Sequence, residues 1–218
     1  MPQTNILLVD DHAIVREGYR ALLNRQSDFT IVAEAENGEE AYRLFRQYKP
    51  DLVLLDLSLP GKGGLATLLQ IRQLSPKAKV LIFSMHQNPA MAKKAIDAGA
   101  KGYITKSSDP ATLVQAIADV MKGRLAISDD IAKALAYDNL QGPSTLVSKL
   151  STREFEILRM LVEGQSKPEI ATTLSISHKT VSNCYYIIKN KLNVKNDIAL
   201  MRLAEDSGLI ASSHTKDC

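Results

Sequence analysis

The sequence predicts two domains of different class: a doubly wound α/β domain on a five-stranded parallel sheet, then an all-α helix-turn-helix bundle. Three observations predict it. Over residues 1–122, short apolar runs alternate five times with segments of helical period, and buried parallel strands read as such runs. From residue 148 onward only helical periodicity remains. Finally, the apolar runs end in polar residues. Ile6-Leu7-Leu8-Val9 leads to Asp10 and Asp11, Leu52-Val53-Leu54-Leu55 to Asp56, Val80-Leu81-Ile82-Phe83 to Ser84, and Gly102-Tyr103-Ile104-Thr105 to Lys106.

The expected strands are Asn5–Val9, Thr30–Ala35, Leu52–Asp56, Lys79–Phe83 and Gly102–Thr105. The expected helices between them are Ala13–Asn24, Gly38–Tyr48, Leu65–Leu74, Pro89–Ala98 and Pro110–Lys122. Lys49-Pro50-Asp51 and Ser75-Pro76 break helices ahead of strands. Gly99 stands where a helix end takes a left-handed residue. Ser108 or Asp109 can cap the helix that has Pro110 in its first turn. Strict alternation with short loops implies a parallel sheet covered on both faces. Residues 123–147 read as a linker, punctuated by Gly123, Gly142 and Pro143, with a modest helical stretch at Asp129–Ala136.

The second domain is expected over residues 148–211, with a tail at 212–218. Ser151 and Glu154 have capping-box spacing, and Gly164 ends the helix they open. A short helix follows at Lys167–Leu174, then a tight turn at Ser175-Ile176-Ser177. Ser177 can cap a longer helix, Lys179–Leu192, and a last helix covers Asp197–Asp206. Two helices joined by a short turn, the second with exposed polar side chains, form the helix-turn-helix pattern.

Composition narrows the class. An apolar fraction of 45% over 218 residues is ordinary for a folded protein. The apolar runs fall far short of the roughly 20 residues that span a bilayer. Residues 1–5 carry no basic segment followed by an apolar core, so no secretory signal is expected. Two cysteines, Cys184 and Cys218, share no metal-ligand spacing and fit a reducing cytoplasm. Net charge is only +3. Between Lys179 and Lys195, however, there are lysines at 179, 189, 191 and 195 and no acid. Such a stripe is either a solvated helix face or a confined phosphate contact.

Ligands of open α/β sheets bind beyond the carboxyl ends of the strands. Asp10, Asp11, Asp56, Ser84 and Lys106 therefore converge on one pocket. Clustered carboxylates repel one another without a cation, and hard oxygen ligands suit Mg2+. Asp10 or Asp11, Asp56, and the peptide carbonyl of Ser58 are the candidate ligands. A carboxylate can also attack phosphorus, and Asp56, ending a central strand, is the candidate nucleophile. Lys106 would counter the phosphoryl charge and Ser84 would donate one hydrogen bond. Any single Asp at a strand end serves equally as a cap, as Asp11 can before Ala13. Five polar residues in this order and spacing point to a site. Gly61-Lys62-Gly63-Gly64 matches neither phosphate-loop nor dinucleotide patterns, and it follows the third strand rather than the first. An enzyme of the doubly wound class, and a DNA-binding regulator with a relic pocket, are the alternatives.

Val9-Asp10-Asp11-His12, Asp56 with Leu59-Pro60-Gly61, Ser84-Met85-His86, and the stretch from Ala98 to Lys106 resemble the flavodoxin-like receiver domain of two-component response regulators. Leu150–Glu154, Gly164–Ala171, Leu174–Ser177, Thr180-Val181 and Lys191-Leu192 resemble the LuxR-type helix-turn-helix. Together they are similar to NarL/FixJ-type response regulators. The resemblance implies a cytoplasmic, phosphorylation-activated transcriptional regulator. A sensor histidine kinase would donate the phosphoryl group to Asp56. It implies no enzyme beyond self-phosphorylation and autodephosphorylation at Asp56. It implies that Ser84 moves toward the phosphate and Tyr103 swings with it. It also implies a homodimer on double-stranded DNA, the last helix (Ile198, Met201, Leu203, with Leu209 beyond) being the family's usual dimer face.

Along Lys179–Leu192, Val181, Tyr185, Ile188 and Leu192 recur at three to four residues and are expected to pack inward. By the resemblance, Ser182, Asn183 and Tyr186 lie where the major groove is read. Lys179, Lys189 and Lys191, with Thr180, are assigned to phosphates. The family usually has lysine at Ser182 and histidine at Cys184, and a small residue followed by lysine at Lys167-Pro168. Tyr185-Tyr186 is also unexpected, and one of the pair can be structural.

Overall fold

The computed structural model describes residues 3–85, 87–140, 149–174 and 176–206. The expected features at His86, Gly142, Pro143, Ser175, Leu209 and the tail lie outside these. The chain divides into two compact units, Met1–Tyr137 and Asp138–Cys218.

The first unit runs β1 (Thr4–Val9), α1 (Ala13–Asn24), β2 (Phe29–Ala35), α2 (Gly38–Tyr48), β3 (Leu52–Leu55), α3 (Gly63–Leu74), β4 (Val80–Ser84), α4 (Pro89–Asp97), β5 (Gly102–Thr105), α5 (Pro110–Met121), β6 (Ala126–Ile127) and α6 (Asp129–Leu140). The sheet order is β2-β1-β3-β4-β5-β6, with every pairing parallel. Alternate strand residues are buried on both faces. Ile6, Leu8, Leu52, Leu54, Leu81, Phe83 and Ile104 form one core with Leu23 of α1 and Leu113, Ile117 and Val120 of α5. Leu7, Val9, Val53, Leu55, Ile82 and Tyr103 are buried on the other side, where α2 touches β1 and β2, and α4 touches β5. A sheet covered on both faces needs apolar residues at every position, which is why the strands read as continuous apolar runs.

The sheet has six strands, not five. β6 is two residues long, too short to show any period, and lies within the stretch read as linker. It is held by more than its ladder. Ser128 N–H donates to the Tyr103 oxygen at 3.0 Å, Thr105 N–H donates to Ser128 Oγ at 3.4 Å, and Thr105 Oγ1 donates to Asp130 Oδ2 at 2.9 Å. Burial pushes the Asp130 carboxyl up, but the bonds from Ser128 and Thr105 outweigh it, so its pKa stays below the usual range. The start of α6 is thus tied to the end of β5.

Local chemistry sets the helix starts. Asn37, Asn88 and Asp109 cap α2, α4 and α5 through side-chain oxygens, so the α5 cap is Asp109 rather than Ser108. No side chain caps α1, whose N-cap is His12; Asp11 does not fill that role. α3 begins two residues earlier than expected, in the glycine run. Gly64 N–H donates to the Leu57 oxygen at 3.1 Å. A Cβ at Gly64 would stand 2.1 Å from the Asp56 carbonyl oxygen. The glycines let α3 press against the backbone that carries Asp56.

The second unit is α7 (Thr152–Val162), α8 (Lys167–Thr173), α9 (His178–Leu192) and α10 (Asp197–Asp206). Capping boxes open α7 (Ser151 with Glu154) and α8 (Ser166 with Glu169), and Ser177 caps α9 by accepting from Thr180 N–H. Gly164 follows α7 at φ +88°, a left-handed value. α9 packs on α7 and α8, and its Val181, Tyr185, Ile188 and Leu192 are buried as expected. Among the described residues, no helix is long and apolar enough to cross a membrane.

Gly64→Ala is expected to lower the stability of the first unit by about 1–3 kcal/mol, because the new methyl meets backbone that must shift. Chemical denaturation followed by circular dichroism checks this. A midpoint equal to wild type would mean the close approach is not needed.

Candidate functional site

Register builds the pocket. Strand order reverses at β1, which lies between β2 and β3, and Val9 pairs with Leu55. The residues that follow, Asp10 and Asp56, are therefore neighbours across the switch point where open α/β sheets bind ligands. Ser84 pairs with Thr105, and Lys106 N–H donates to the Ser84 oxygen at 2.8 Å. These four residues reach one edge of the sheet.

Lys106 Nζ donates to Asp10 Oδ2 at 2.5 Å and to Asp56 Oδ2 at 2.6 Å. Asp10 and Asp56 are each 2% exposed, so both charge pairs lie out of water. Burial pulls the Lys106 pKa down, but Asp56 and Asp10 outweigh it, and the ammonium is held above its ordinary value. The other carboxylate oxygens aim at backbone: Asp10 Oδ1 accepts from His12 N–H at 2.9 Å, and Asp56 Oδ1 from Ser58 N–H at 3.1 Å.

Asp10, Asp11, His12 and Asp56 each offer a ligand atom within 4.8 Å of the others. Asp11 Oδ1 is buried without a hydrogen-bond partner, and His12 Nδ1 lies 2.9 Å away. Three carboxylates face the single ammonium of Lys106. A surplus of negative charge and an orphaned buried oxygen fit a hard divalent cation. His12 was not among the expected ligands; its side chain is mostly exposed.

Ser84 and Tyr103 are fully buried. Burial pushes the Tyr103 hydroxyl up, and a hydrogen bond with Ser84 pulls it part of the way back. The two expected switch residues are therefore linked, with the ring turned into the core.

In the second unit, Lys179, Thr180, Asn183 and Tyr186 are exposed on α9, and Ser182 is half-buried. Tyr186 is 66% exposed. Thr180 Oγ1 bonds Ser177 Oγ at 2.8 Å. Lys189 and Lys191 differ. Lys191 Nζ donates to Glu154 at 2.7 and 2.9 Å. Lys189 Nζ donates to Asp197 at 3.2 Å and to the Tyr185 hydroxyl at 3.3 Å. The stripe holds no acid of its own, but α7 and α10 supply one each.

Comparison with known proteins identifies both units. Residues 6–118 match the response regulator receiver domain, and residues 148–204 match bacterial regulatory proteins of the luxR family. The chain belongs to the NarL/FixJ-type response regulators. The regulator is 37% identical to response regulator UvrY of Escherichia coli (strain K12) over 94% of this chain and 95% of that one. It is 38% identical to transcriptional activator protein ExaE of Pseudomonas putida, over 94% and 97%. Its fold is similar to RcsB from Salmonella enterica serovar Typhimurium, solved bound to promoter rprA with the phosphomimetic BeF3-. That structure has a TM-score of 0.76 and 28% identity, covering 93% of this chain and 98% of that one. A LuxR-family response regulator from Aurantimonas sp. SI85-9A1 is 54% identical over 63% of this chain and 99% of its own, with a TM-score of 0.62.

Two departures of the regulator from its family pattern turn out to touch. Lys167 Nζ lies 3.8 Å from the centre of the Tyr185 ring, within cation–π range. The Tyr185 hydroxyl also bonds the Asp197 carboxylate. Tyr185 thus joins α8, α9 and α10, and of the two tyrosines it is the structural one. Cys184 is half-buried, and burial raises its pKa.

Sequence reading missed Arg16, which donates to the Asp10 peptide oxygen at 2.7 Å. The signal was available: Arg16 shares a helix face with buried Leu23, seven residues on. A charge on an apolar stripe needs a partner.

The Glu154 pair has a pH signature. Burial pushes this carboxyl up, but Lys191 and Ser151 outweigh it, and its pKa lies below the ordinary 4.5. A lowered folded-state pKa means the stabilisation is complete above pH 4.5 and is lost as pH falls through the folded value. Glu154→Gln is expected to cost the second unit about 1 kcal/mol at pH 7, since Lys191 remains partly in water. The difference from wild type should close as pH falls through that lowered value. Hydrogen exchange of α7 amides in the full chain, compared at each pH, measures it; a pH-independent difference would remove the charge pair from the explanation.

Proposed function

We propose that this response regulator accepts a phosphoryl group on Asp56 and thereby gains affinity for double-stranded DNA. One observation carries the reading: a buried ammonium, Lys106, bridges Asp10 and Asp56 inside a cluster that still has carboxylate to spare. A group built this way can take both a divalent cation and a phosphoryl group.

Asp56 is the nucleophile. Its oxygen attacks phosphorus on the histidine of a sensor kinase, the N–P bond breaks, and an acyl phosphate forms. Asp10, Asp11, Asp56 and the Ser58 peptide oxygen would hold Mg2+, which supplies charge compensation for the transferring group. Lys106 has to exchange part of its contact with Asp56 for a phosphoryl oxygen. Ser84 donates to another, and because Tyr103 is bonded to Ser84, its ring follows. Phosphorylation adds about two negative charges, and whichever arrangement binds them better becomes populated. No turnover of a free substrate is part of this reading.

On the output side, Lys179, Thr180, Ser182, Asn183 and Tyr186 form the face we assign to DNA. Asn183 and Tyr186 can reach base edges, whereas Lys179 and Thr180 reach phosphates. Lys189 and Lys191 hold α9 to α10 and α7 first, and any phosphate contact they make is secondary. One such module offers few contacts, and dimers read two half-sites about one turn apart. RcsB has been solved as two dimers bound to two parallel DNAs. In α10, Ile198 and Met201 are exposed apolar residues and are the proposed dimer face.

Incubation with acetyl phosphate should add one phosphoryl group per chain, detected by intact mass, only when Mg2+ is present. Asp56→Asn should take none. Undiminished uptake in that variant would move the nucleophile elsewhere. Asn183→Ala is expected to weaken specific DNA binding by about 1–3 kcal/mol while leaving non-specific binding unchanged. Equal losses on specific and random duplexes would make Asn183 a positioning contact.

A further inference from the structure

Arg16 is a charge buried on the apolar stripe of α1, and the phosphoryl chemistry above does not use it. It is 8% exposed. Nη1 donates to the Asp10 peptide oxygen at 2.7 Å. Nη2 donates to Glu36 at 2.5 Å, and Nε lies 3.7 Å from Glu34. Glu34 is shared with Arg20, 3.3 Å away on its far side. One guanidinium therefore joins the segments that follow β1 and end β2 to α1.

Asp10 stands one residue beyond the last pair of the β1–β2 ladder, Val9 with Ala35. Its N–H still donates to the Ala35 oxygen at 3.1 Å. Its own carbonyl has left the ladder, and a buried carbonyl needs a donor. Arg16 is that donor. Without it the peptide would have to turn to find another, and the carboxylate on the same Cα would turn with it. The planar fork of Arg suits the task, since it reaches Asp10 and Glu36 at once.

The charge of Arg16 works the other way. A guanidinium within one residue of the acidic cluster repels any second cation. Glu34 and Glu36 offset that charge, so the cluster keeps its negative surplus while the hydrogen bond is retained.

We infer that Arg16 is a positioning residue for divalent-cation binding, fixing the Asp10 peptide so that its carboxylate faces the cluster while Glu34 and Glu36 offset its charge. This rests on the cluster being a cation site.

The test is a calorimetric Mg2+ titration of the unphosphorylated full chain, with thermal melting of each sample to verify folding. Arg16→Met should bind Mg2+ about 10- to 100-fold more weakly than wild type. Arg16→Lys, which keeps the charge but can reach only one partner, should fall between. The sign is diagnostic: if only charge mattered, removing a nearby cation would tighten binding. Unchanged or tighter binding by folded Arg16→Met overturns the inference. If that variant does not fold, Arg16→Lys decides, with weakened binding supporting the role and wild-type affinity overturning it. Absence of binding by the wild type would be a different result, removing the cation site and the inference together.

Discussion

A buried ammonium shared by two buried carboxylates is the constraint on which the first unit turns. Isolated, any of these charges would be too costly to hide from water. Together they are tolerated only at short range, so the strands that carry them must end in register. The apolar sheet supplies that register, and the glycines that open α3 let the helix close on the Asp56 backbone. The balance is left incomplete, with Asp11 in excess. That excess makes the pocket responsive, because an added cation or phosphoryl group changes which of its charges are satisfied.

The second unit uses the same principle with smaller stakes. Its helix α9 is held from three sides by polar clamps. Lys191 meets Glu154 in the first turn of α7, Lys189 meets the first residue of α10, and Tyr185 lies under a lysine from α8. Each clamp fixes the rotation of α9 about its axis. That rotation decides whether Asn183 and Tyr186 face outward together.

Much of this was legible in the sequence because it depends on local order. Asp10, Asp56, Ser84 and Lys106 follow apolar runs, and parallel sheets bring such ends together. The buried face of α9 followed from spacing, and its cap from Ser177. What escaped reading was short or non-local. β6 has two residues and so no period. Glu154 and Lys191 are 37 positions apart, and nothing in the basic stripe announces an acid from another helix. Arg16 reads as an ordinary helix arginine, like Arg20; only its alignment with Leu23 marks it as inward. The glycines that open α3 read as loop because composition does not show how closely two backbones approach.

The most direct measurement is a DNA-binding titration of the full chain before and after Mg2+-dependent phosphorylation, in the same salt, since phosphate contacts make affinity salt-dependent. If the charge state of the Asp56 pocket governs the output, the phosphorylated protein binds its specific duplex more tightly than the unmodified protein, and Asp56→Asn treated identically does not change. Equal affinity of fully phosphorylated and unmodified wild type would contradict it.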